Sequence, residues 1–284
     1  MNSTFLCGRF ELGFERPLIM GIVNITPDSF SDGSHHFSTN AAIDHALGLV
    51  EQGADILDIG GESTRAGSEP VSIQEELNRV IPVIEGLRNC GVPLSIDTFK
   101  PEVMKAALQS GVDLINDIYA LRQPGALEVV SEFPHCGICI MHMHGEPKTM
   151  QVNPPDYGDN ITREVAAFLQ DRMRIMLQSG IDPRRIMIDP GFGFGFGKTA
   201  AQNFQLLREM ADLNELKAPI LVGVSRKTMI GAVTHKPVNE RLSGSIAAAL
   251  AGVARGAVVV RVHDVAQTHD ALAVWNAVEF GVNE

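Results

Sequence analysis

The chain has 284 residues, of which 45% are apolar and 20% charged, and 23 basic against 34 acidic residues give a formal net charge of −11. This composition excludes an intrinsically disordered chain, and the acidic balance argues against nucleic-acid binding or a membrane-surface role, since both need a basic excess. The most apolar run, residues 246–254, is too short to cross a membrane, so we expect neither a nucleic-acid nor a membrane partner.

The four cysteines are too few for a disulfide scaffold. Cys136 and Cys139 form one CxxC motif, but a zinc ribbon needs a second pair. The motif falls in a predicted buried strand, where residues i and i+3 point to opposite faces, so we interpret both as structural thiols. Reduced thiols and the lack of an apolar signal segment at the N-terminus predict a cytoplasmic location.

Short apolar runs recur along the chain after an N-terminal segment, residues 3–16, that predicts a β-hairpin plugging the bottom of a barrel. Each run is nearly continuous rather than alternating, which is typical of strands buried on both faces of a parallel sheet. Eight such runs are predicted as strands, at residues 18–24, 55–61, 92–98, 112–118, 137–144, 185–191, 219–225 and 257–264.

Helical patterns lie between these strands. They cover residues 41–54 after Thr39-Asn40, 73–91 after a capping box of Ser72 and Glu75, 101–111, 161–180, 203–214, 239–256 and 265–281. Strand starts about 34 residues apart match the length of a βα unit. We therefore predict an α/β fold with a single domain over 1–284, a (β/α)8 TIM barrel with a short N-terminal β-hairpin; a doubly wound open sheet is the alternative.

A barrel places its chemistry at the carboxyl ends of its strands, and all eight predicted ends carry polar or charged residues. The basic residues among them can converge on an anion, helped by the start of the helix after the seventh strand; they are Arg65, Lys227, Arg261 and His263. The acceptor residues suit a flat nitrogen heterocycle with a guanidine-like edge; they are Asp97, Asn116 and Asp189. The site is therefore expected to join a heterocycle to a phosphate.

Two other features resemble ligand motifs but have the wrong spacing or setting. The segment at 191–199 lacks the glycine positions of a Walker A loop and of a dinucleotide fingerprint, so we interpret it as a loop whose phenylalanines cover a ligand. His35 and His36 are interpreted as part of a solvated loop rather than as a metal pair.

Several segments together resemble bacterial dihydropteroate synthases, over residues 17–275. The resemblance rests on GIVNITPDSFSDGS (21–34), GGESTRAGSEPVS (60–72), SIDTFKPEV (95–103), MHMHGEPKTMQ (141–151), DPGFGFGFGK (189–198), VGVSRKTMIG (222–231), ERLSGSIAAAL (240–250) and RVHDV (261–265). It implies a homodimeric pterin-binding barrel of folate biosynthesis. Such a transferase condenses 6-hydroxymethyl-7,8-dihydropterin pyrophosphate with 4-aminobenzoate to 7,8-dihydropteroate and pyrophosphate, uses Mg²⁺, and is inhibited competitively by sulfonamides.

The resemblance also implies roles for individual residues. Catalytic roles fall on Asp97, Lys227 and Arg65, and pterin binding on Asp97, Asn116, Met141, Asp189, Gly223 and Lys227. The residues implied for pyrophosphate binding are Asn24, Arg65, Arg261 and His263, and Asn24 is also implied as a ligand of the metal. The residues implied for aminobenzoate binding are Thr64, Phe194, Ser225 and Thr228.

Two departures from the family pattern bear on aminobenzoate. An extra Gly-Phe pair leaves open whether Phe194 or Phe196 lines its site. Ala66 stands where the family commonly has proline, so the loop after the second predicted strand should be less constrained. This would alter the aminobenzoate KM or the sulfonamide sensitivity.

We expect a dissociative substitution at the exocyclic methylene, with direct displacement as the alternative. A barrel of the methyltetrahydrofolate methyltransferase type and a non-catalytic pterin-binding paralogue are the competing functions. The first has no need of the 21–34 segment or of Arg261 and His263, and the second would be expected to lose its charged loop residues.

Overall fold

The computed structural model describes residues 4–25, 35–62, 70–144, 157, 160–193 and 196–282, with the backbone alone at 35–38. Two short antiparallel strands come first, and eight parallel strands then close a barrel. The bounds are β1 (Thr4–Cys7), β2 (Phe10–Gly13), β3 (Leu18–Asn24), β4 (Ile56–Gly60), β5 (Leu94–Asp97), β6 (Leu114–Asp117), β7 (Gly137–Met141), β8 (Ile186–Asp189), β9 (Ile220–Val222) and β10 (Ala257–Val262). The barrel order is β10-β3-β4-β5-β6-β7-β8-β9, so the predicted (β/α)8 barrel with its N-terminal hairpin is confirmed.

Nine α-helices are seen in the described part of the chain, and they surround the barrel. They are α1 (His35–Glu51), α2 (Ile73–Leu87), α3 (Pro101–Ser110), α4 (Ala126–Glu132), α5 (Ile161–Gln178), α6 (Ala200–Glu209), α7 (Thr228–Thr234), α8 (Leu242–Val253) and α9 (Val265–Phe280). Among the described helices, none combines the length and apolar character needed to cross a membrane.

Three helix predictions need correction. The backbone is already helical at His35, so the prediction of a loop at His35 and His36 is wrong. The predicted start of this helix after Asn40 is also too late. The helix can begin earlier because no proline or glycine interrupts residues 35–47. α6 starts at Ala200, because Thr199 and Gln202 form a capping box. α4 was not predicted, since seven residues carry little periodicity.

The hydrophobic core has three parts in the described portion of the chain. The largest lies between the barrel and its helices, and includes Cys136. A second fills the bottom of the barrel, where Phe5 and Cys7 of the hairpin pack with inward residues such as Cys139. Gly137, the first residue of β7, lies against the Phe5 ring, which confirms that the hairpin plugs the amino end of the strands. The third cluster lies at the opposite end, around Met141 and Phe196.

Candidate active site

Strand register places three of the predicted residues at one level of the barrel. Asn24 pairs with Gly60, Gly60 with Asp97, and Asp97 with Asn116, across the neighbouring strands β3 to β6. Gly60 has no side chain, and a Cβ there would lie 3.7 Å from both Asn24 Oδ1 and Asp97 Cβ. The level therefore carries an amide, a space, a carboxylate and a second amide in sequence around the barrel wall.

The acidic residues of the site are nearly buried. Asp97 and Asp189 are 8% and 7% exposed, and burial raises the pKa of both carboxyl groups, that of Asp97 to about 7. The Arg261 guanidinium lowers the pKa of Asp97, and the Gly191 N–H, which donates to Asp189 Oδ1 at 2.7 Å, lowers that of Asp189. Among the described residues Asp97 Oδ1 has no hydrogen-bond partner, so it is available to a ligand N–H.

Arg261, on β10, contacts carboxylates on two other strands, Asp97 on β5 and Asp58 on β4. Its Nη2 donates to Asp97 Oδ2 at 2.7 Å and its Nε to Asp58 Oδ2 at 2.5 Å. Asp58 is completely buried and also accepts from Ser95 Oγ and Asn116 Nδ2. Sequence reasoning missed Asp58, because it lies inside the apolar run DILDIGG; a carboxylate in the middle of a buried strand was the available signal.

Lys227 lies across the barrel from Asp97. It follows the short strand β9 and immediately precedes α7, and its Nζ lies 4.7 Å from the centroid of the Phe196 ring. Phe196 packs with Met141, Met143 and Ile118 at the mouth of the barrel. The predicted pterin residue Met141 and the lysine therefore share one aromatic neighbour, and the lysine contact has cation–π geometry.

Ser225 and His263 form a second polar pair. The Ser225 hydroxyl lies 3.0 Å from His263 Nδ1 and accepts the His263 backbone N–H at 3.2 Å. Because that N–H uses the oxygen as an acceptor, the hydroxyl hydrogen can donate to Nδ1, which leaves the proton of a neutral ring on Nε2. Next to Ser225, Arg226 has a positive φ of 57° and pairs with Asp264.

Two other polar residues at strand ends lie outside this pocket. His142 packs against Phe168 of α5, and burial lowers its pKa to about 2. Asp117 accepts the backbone N–H groups of Tyr119 and Leu121, each at 2.7 Å. Both side chains lie behind the barrel wall, because alternate residues at a strand end point away from the barrel interior, and only Asp117 bonds to a turn.

The remaining predicted residues divide by what the structure describes. Gly223 lies beside the pocket, with a Cβ there 3.8 Å from Asp189 Oδ2, and Thr228 is the exposed first residue of α7. Thr64, Arg65 and Phe194 lie outside the described residues, as does Ala66.

Lys198 is a further residue that sequence reasoning did not place. Its amine donates to the carbonyls of Gly191 at 2.7 Å and His142 at 3.3 Å, and its side chain is only 1% exposed. Burial lowers its pKa to about 7. The lysine fastens the segment after β8 to the end of β7, beside Asp189.

Comparison with known proteins agrees with this geometry. A family model described as pterin binding enzyme matches residues 20–263. The dihydropteroate synthase of Neisseria meningitidis serogroup B is 52% identical over 97% of each chain.

Solved structures extend the comparison. The Xanthomonas albilineans dihydropteroate synthase with 4-aminobenzoic acid is 50% identical, with a TM-score of 0.91 over 99% of each chain. The Burkholderia cenocepacia enzyme complexed with 7,8-dihydropteroate is 52% identical, with a TM-score of 0.88 over 97% of this chain and 96% of that one. The Yersinia pestis enzyme with a sulfonamide drug is 42% identical, with a TM-score of 0.90 over 97% and 98%. The chain therefore belongs to the dihydropteroate synthases, within the family of pterin-binding enzymes.

Proposed function

We propose that the pocket at the carboxyl ends of the strands makes 7,8-dihydropteroate, and that Asp97, Asn116, Asp189 and Lys227 hold the pterin there. Membership of the family makes the chain a transferase of folate synthesis. The assignment rests on Asp97 Oδ1. This oxygen is a buried acceptor with no partner among the described residues, and it lies at the level of Asn24 and Asn116. A buried carboxylate oxygen of this kind needs a donor, and the N–H groups of a pterin supply one.

The proposed reaction breaks the C–O bond between the exocyclic methylene and pyrophosphate, whose oxygen keeps the bonding electrons. The lone pair of the aminobenzoate nitrogen then forms the C–N bond, and the resulting acidic ammonium passes its proton to water. Asp97 and Asp189 stabilise positive charge that develops on the ring, while Arg261, His263 and Arg65 oppose the negative charge of pyrophosphate. An aniline is unprotonated at neutral pH, so no strong general base is needed.

The dissociative route separates bond breaking from bond making. Positional exchange of ¹⁸O between bridging and non-bridging positions of pterin pyrophosphate, measured without aminobenzoate, is its expected consequence. Absence of exchange would favour direct displacement.

Asn24 fits a role at Mg²⁺. Its amide supplies a hard oxygen at the carboxyl end of β3, next to the space left by Gly60. The described residues contain no group of three or more His, Cys, Asp or Glu side chains placed to hold a metal, which suits an ion held mostly by phosphate and water, as Mg²⁺ often is. When bound, Mg²⁺ would neutralise the charge of the leaving pyrophosphate. Asn24→Ala should raise the Mg²⁺ concentration that gives half-maximal activity.

The aminobenzoate site is proposed beside Lys227, with Thr228 at the start of α7 and Thr64 from the segment after β4. The hydroxyl of Ser225, which the family resemblance also assigned to aminobenzoate, is bound to His263. Phe196 lies against Lys227, which supports Phe196 as its aromatic wall; Phe194 remains the alternative. The Yersinia pestis enzyme forms a complex with a sulfonamide, and we propose that sulfonamides compete with aminobenzoate in this chain as well.

We also propose a cytoplasmic homodimer. An interface is supported by exposed apolar residues on α9 and just after it. Each is at least 67% exposed; they are Val274, Val278, Phe280 and Val282. Val278→Asp should shift the sedimentation coefficient towards that of a monomer if this face is used.

Asp97→Ala tests the pterin assignment. Product formation, followed by chromatography of 7,8-dihydropteroate, should fall by at least about 100-fold. Activity close to that of the unmodified chain would remove Asp97 from the site.

A further inference from the structure

Asp58 lies one level below the pocket and cannot itself contact a ligand. It precedes Gly60 by two residues on β4, is 0% exposed, and pairs in register with Ser95. Its Oδ1 accepts from Ser95 Oγ at 2.5 Å, and its Oδ2 accepts from Asn116 Nδ2 at 3.1 Å and Arg261 Nε at 2.5 Å. The carboxylate therefore contacts two proposed site residues from the side away from the pocket mouth.

The bond to Asn116 fixes which end of its amide is presented. An asparagine amide has a donating NH₂ and an accepting carbonyl, and a half-turn exchanges them. A carboxylate paired with a guanidinium only accepts, so the NH₂ of Asn116 must face Asp58. The Oδ1 of Asn116 is then the group left for a ligand, at the level of Asp97 Oδ1, which has no partner among the described residues.

Arg261 is held by the same carboxylate. Its Nε is bound to Asp58 while its Nη2 reaches Asp97, so the guanidinium is fixed along the pocket floor at two points. Breaking one contact of such a buried pair leaves charge uncompensated.

We propose that Asp58 is a positioning residue that sets substrate specificity, by holding Asn116 as a hydrogen-bond acceptor so that the pocket selects heterocycles with N–H donors at that edge and rejects those with a carbonyl there. This rests on the proposed pterin function of the site. Asp97, Asn116 and Asp189 then present acceptors only, and a ligand carbonyl would face an oxygen without a hydrogen between them. Sites that must hydrogen-bond a substrate discriminate strongly against analogues lacking the group.

The test compares two ligands that differ at this edge. 6-Hydroxymethylpterin carries a 2-amino group, and 6-hydroxymethyllumazine has a carbonyl in its place. Calorimetric binding of each is measured for the unmodified chain, for Asp58→Asn, and for Ser95→Ala as a matched control that removes another partner of Asp58. Thermal melting is recorded for each variant.

The unmodified chain should bind the pterin at least about 10-fold more tightly than the lumazine. Asp58→Asn should lower this ratio several-fold, because the introduced amide can itself donate and Asn116 is then free to turn. Ser95→Ala should keep the ratio within about twofold. If Asp58→Asn weakens both ligands equally and leaves the ratio unchanged, Asp58 is only structural and the proposal is overturned.

The double variant Asp58→Asn/Asn116→Asp reverses the pair. Residue 116 then has acceptors only, whichever way it turns, so the ratio should return towards that of the unmodified chain; failure to return overturns the proposal. This variant carries the test if Asp58→Asn alone does not fold. If the unmodified chain binds neither ligand, the pterin function of the site is wrong, which is a different result from an unchanged ratio.

Discussion

The guanidinium of Arg261 donates to Asp97 Oδ2 at 2.7 Å, which joins a residue assigned to pyrophosphate to one assigned to the pterin. Burial raises the pKa of Asp97 to about 7, and Arg261 opposes that rise. We therefore expect Arg261 to contribute to pterin binding through the charge of Asp97, in addition to any contact with pyrophosphate.

Arg261→Met should move the pH dependence of pterin binding. Ionised Asp97 accepts a ligand N–H at Oδ1, the oxygen that Arg261 does not use, so affinity for 6-hydroxymethylpterin should fall as the pH drops through its pKa. Without the guanidinium that pKa rises, so the midpoint should move to higher pH. The ligand lacks phosphate, which separates this effect from the pyrophosphate role, and titrations between pH 5.5 and 8.5 measure it. A midpoint that stays in place or moves to lower pH would contradict the coupling.

Ser225→Ala should act through His263. Loss of the hydroxyl removes the group that contacts Nδ1 and orients the ring, so the KM for pterin pyrophosphate should rise by about 10-fold, the lower end of the effect of removing the partner of a metal-binding histidine. Steady-state kinetics with each substrate varied in turn distinguish this from direct contact with aminobenzoate. A rise confined to the aminobenzoate KM would assign the hydroxyl to that substrate instead.

Lys198→Met should change the pH dependence of stability. The folded chain holds Lys198 with a pKa of about 7, below its usual 10.5, so between these values the unfolded chain binds more protons. Stability contributed by this group therefore rises with pH, by up to about 1.4 kcal/mol per pH unit. The unmodified chain should gain more stability than the variant between pH 7 and 9 in urea denaturation; parallel gains would show that Lys198 keeps its proton.

Asp117→Asn should destabilise the turn after β6. Two backbone N–H groups need two acceptor oxygens, and an amide has one, so unfolding should become easier by about 1–3 kcal/mol. Asp171→Asn, on the exposed side of α5, is the control and should change stability by less than about 0.5 kcal/mol. Equal effects of the two substitutions in urea denaturation would show that the Asp117 contacts add nothing.

The barrel was predictable because β-branched runs and helical periodicity alternate along the chain, and strand ends mark where the polar groups meet. Asp97, Asn116 and Arg261 were found this way, since strand register determines their level once the strands are known. Asp58 and Lys198 were not found, because only the closed barrel brings them to their partners. The partners of Asp58 are 37 to 203 residues away in sequence. Those of Lys198 are 7 and 56 residues away. The orientation of His142 was equally hidden, because a one-residue change of position along a strand selects the opposite face.

The central claim is that this pocket couples pyrophosphate departure to attack by aminobenzoate. The most direct test measures pyrophosphate release from 6-hydroxymethyl-7,8-dihydropterin pyrophosphate with Mg²⁺, with and without 4-aminobenzoate, for the unmodified chain and for Lys227→Ala. We predict sustained release that depends on aminobenzoate and is lost in Lys227→Ala. Absence of release by the folded, unmodified chain would contradict the account, and undiminished release by Lys227→Ala would remove that residue from the site.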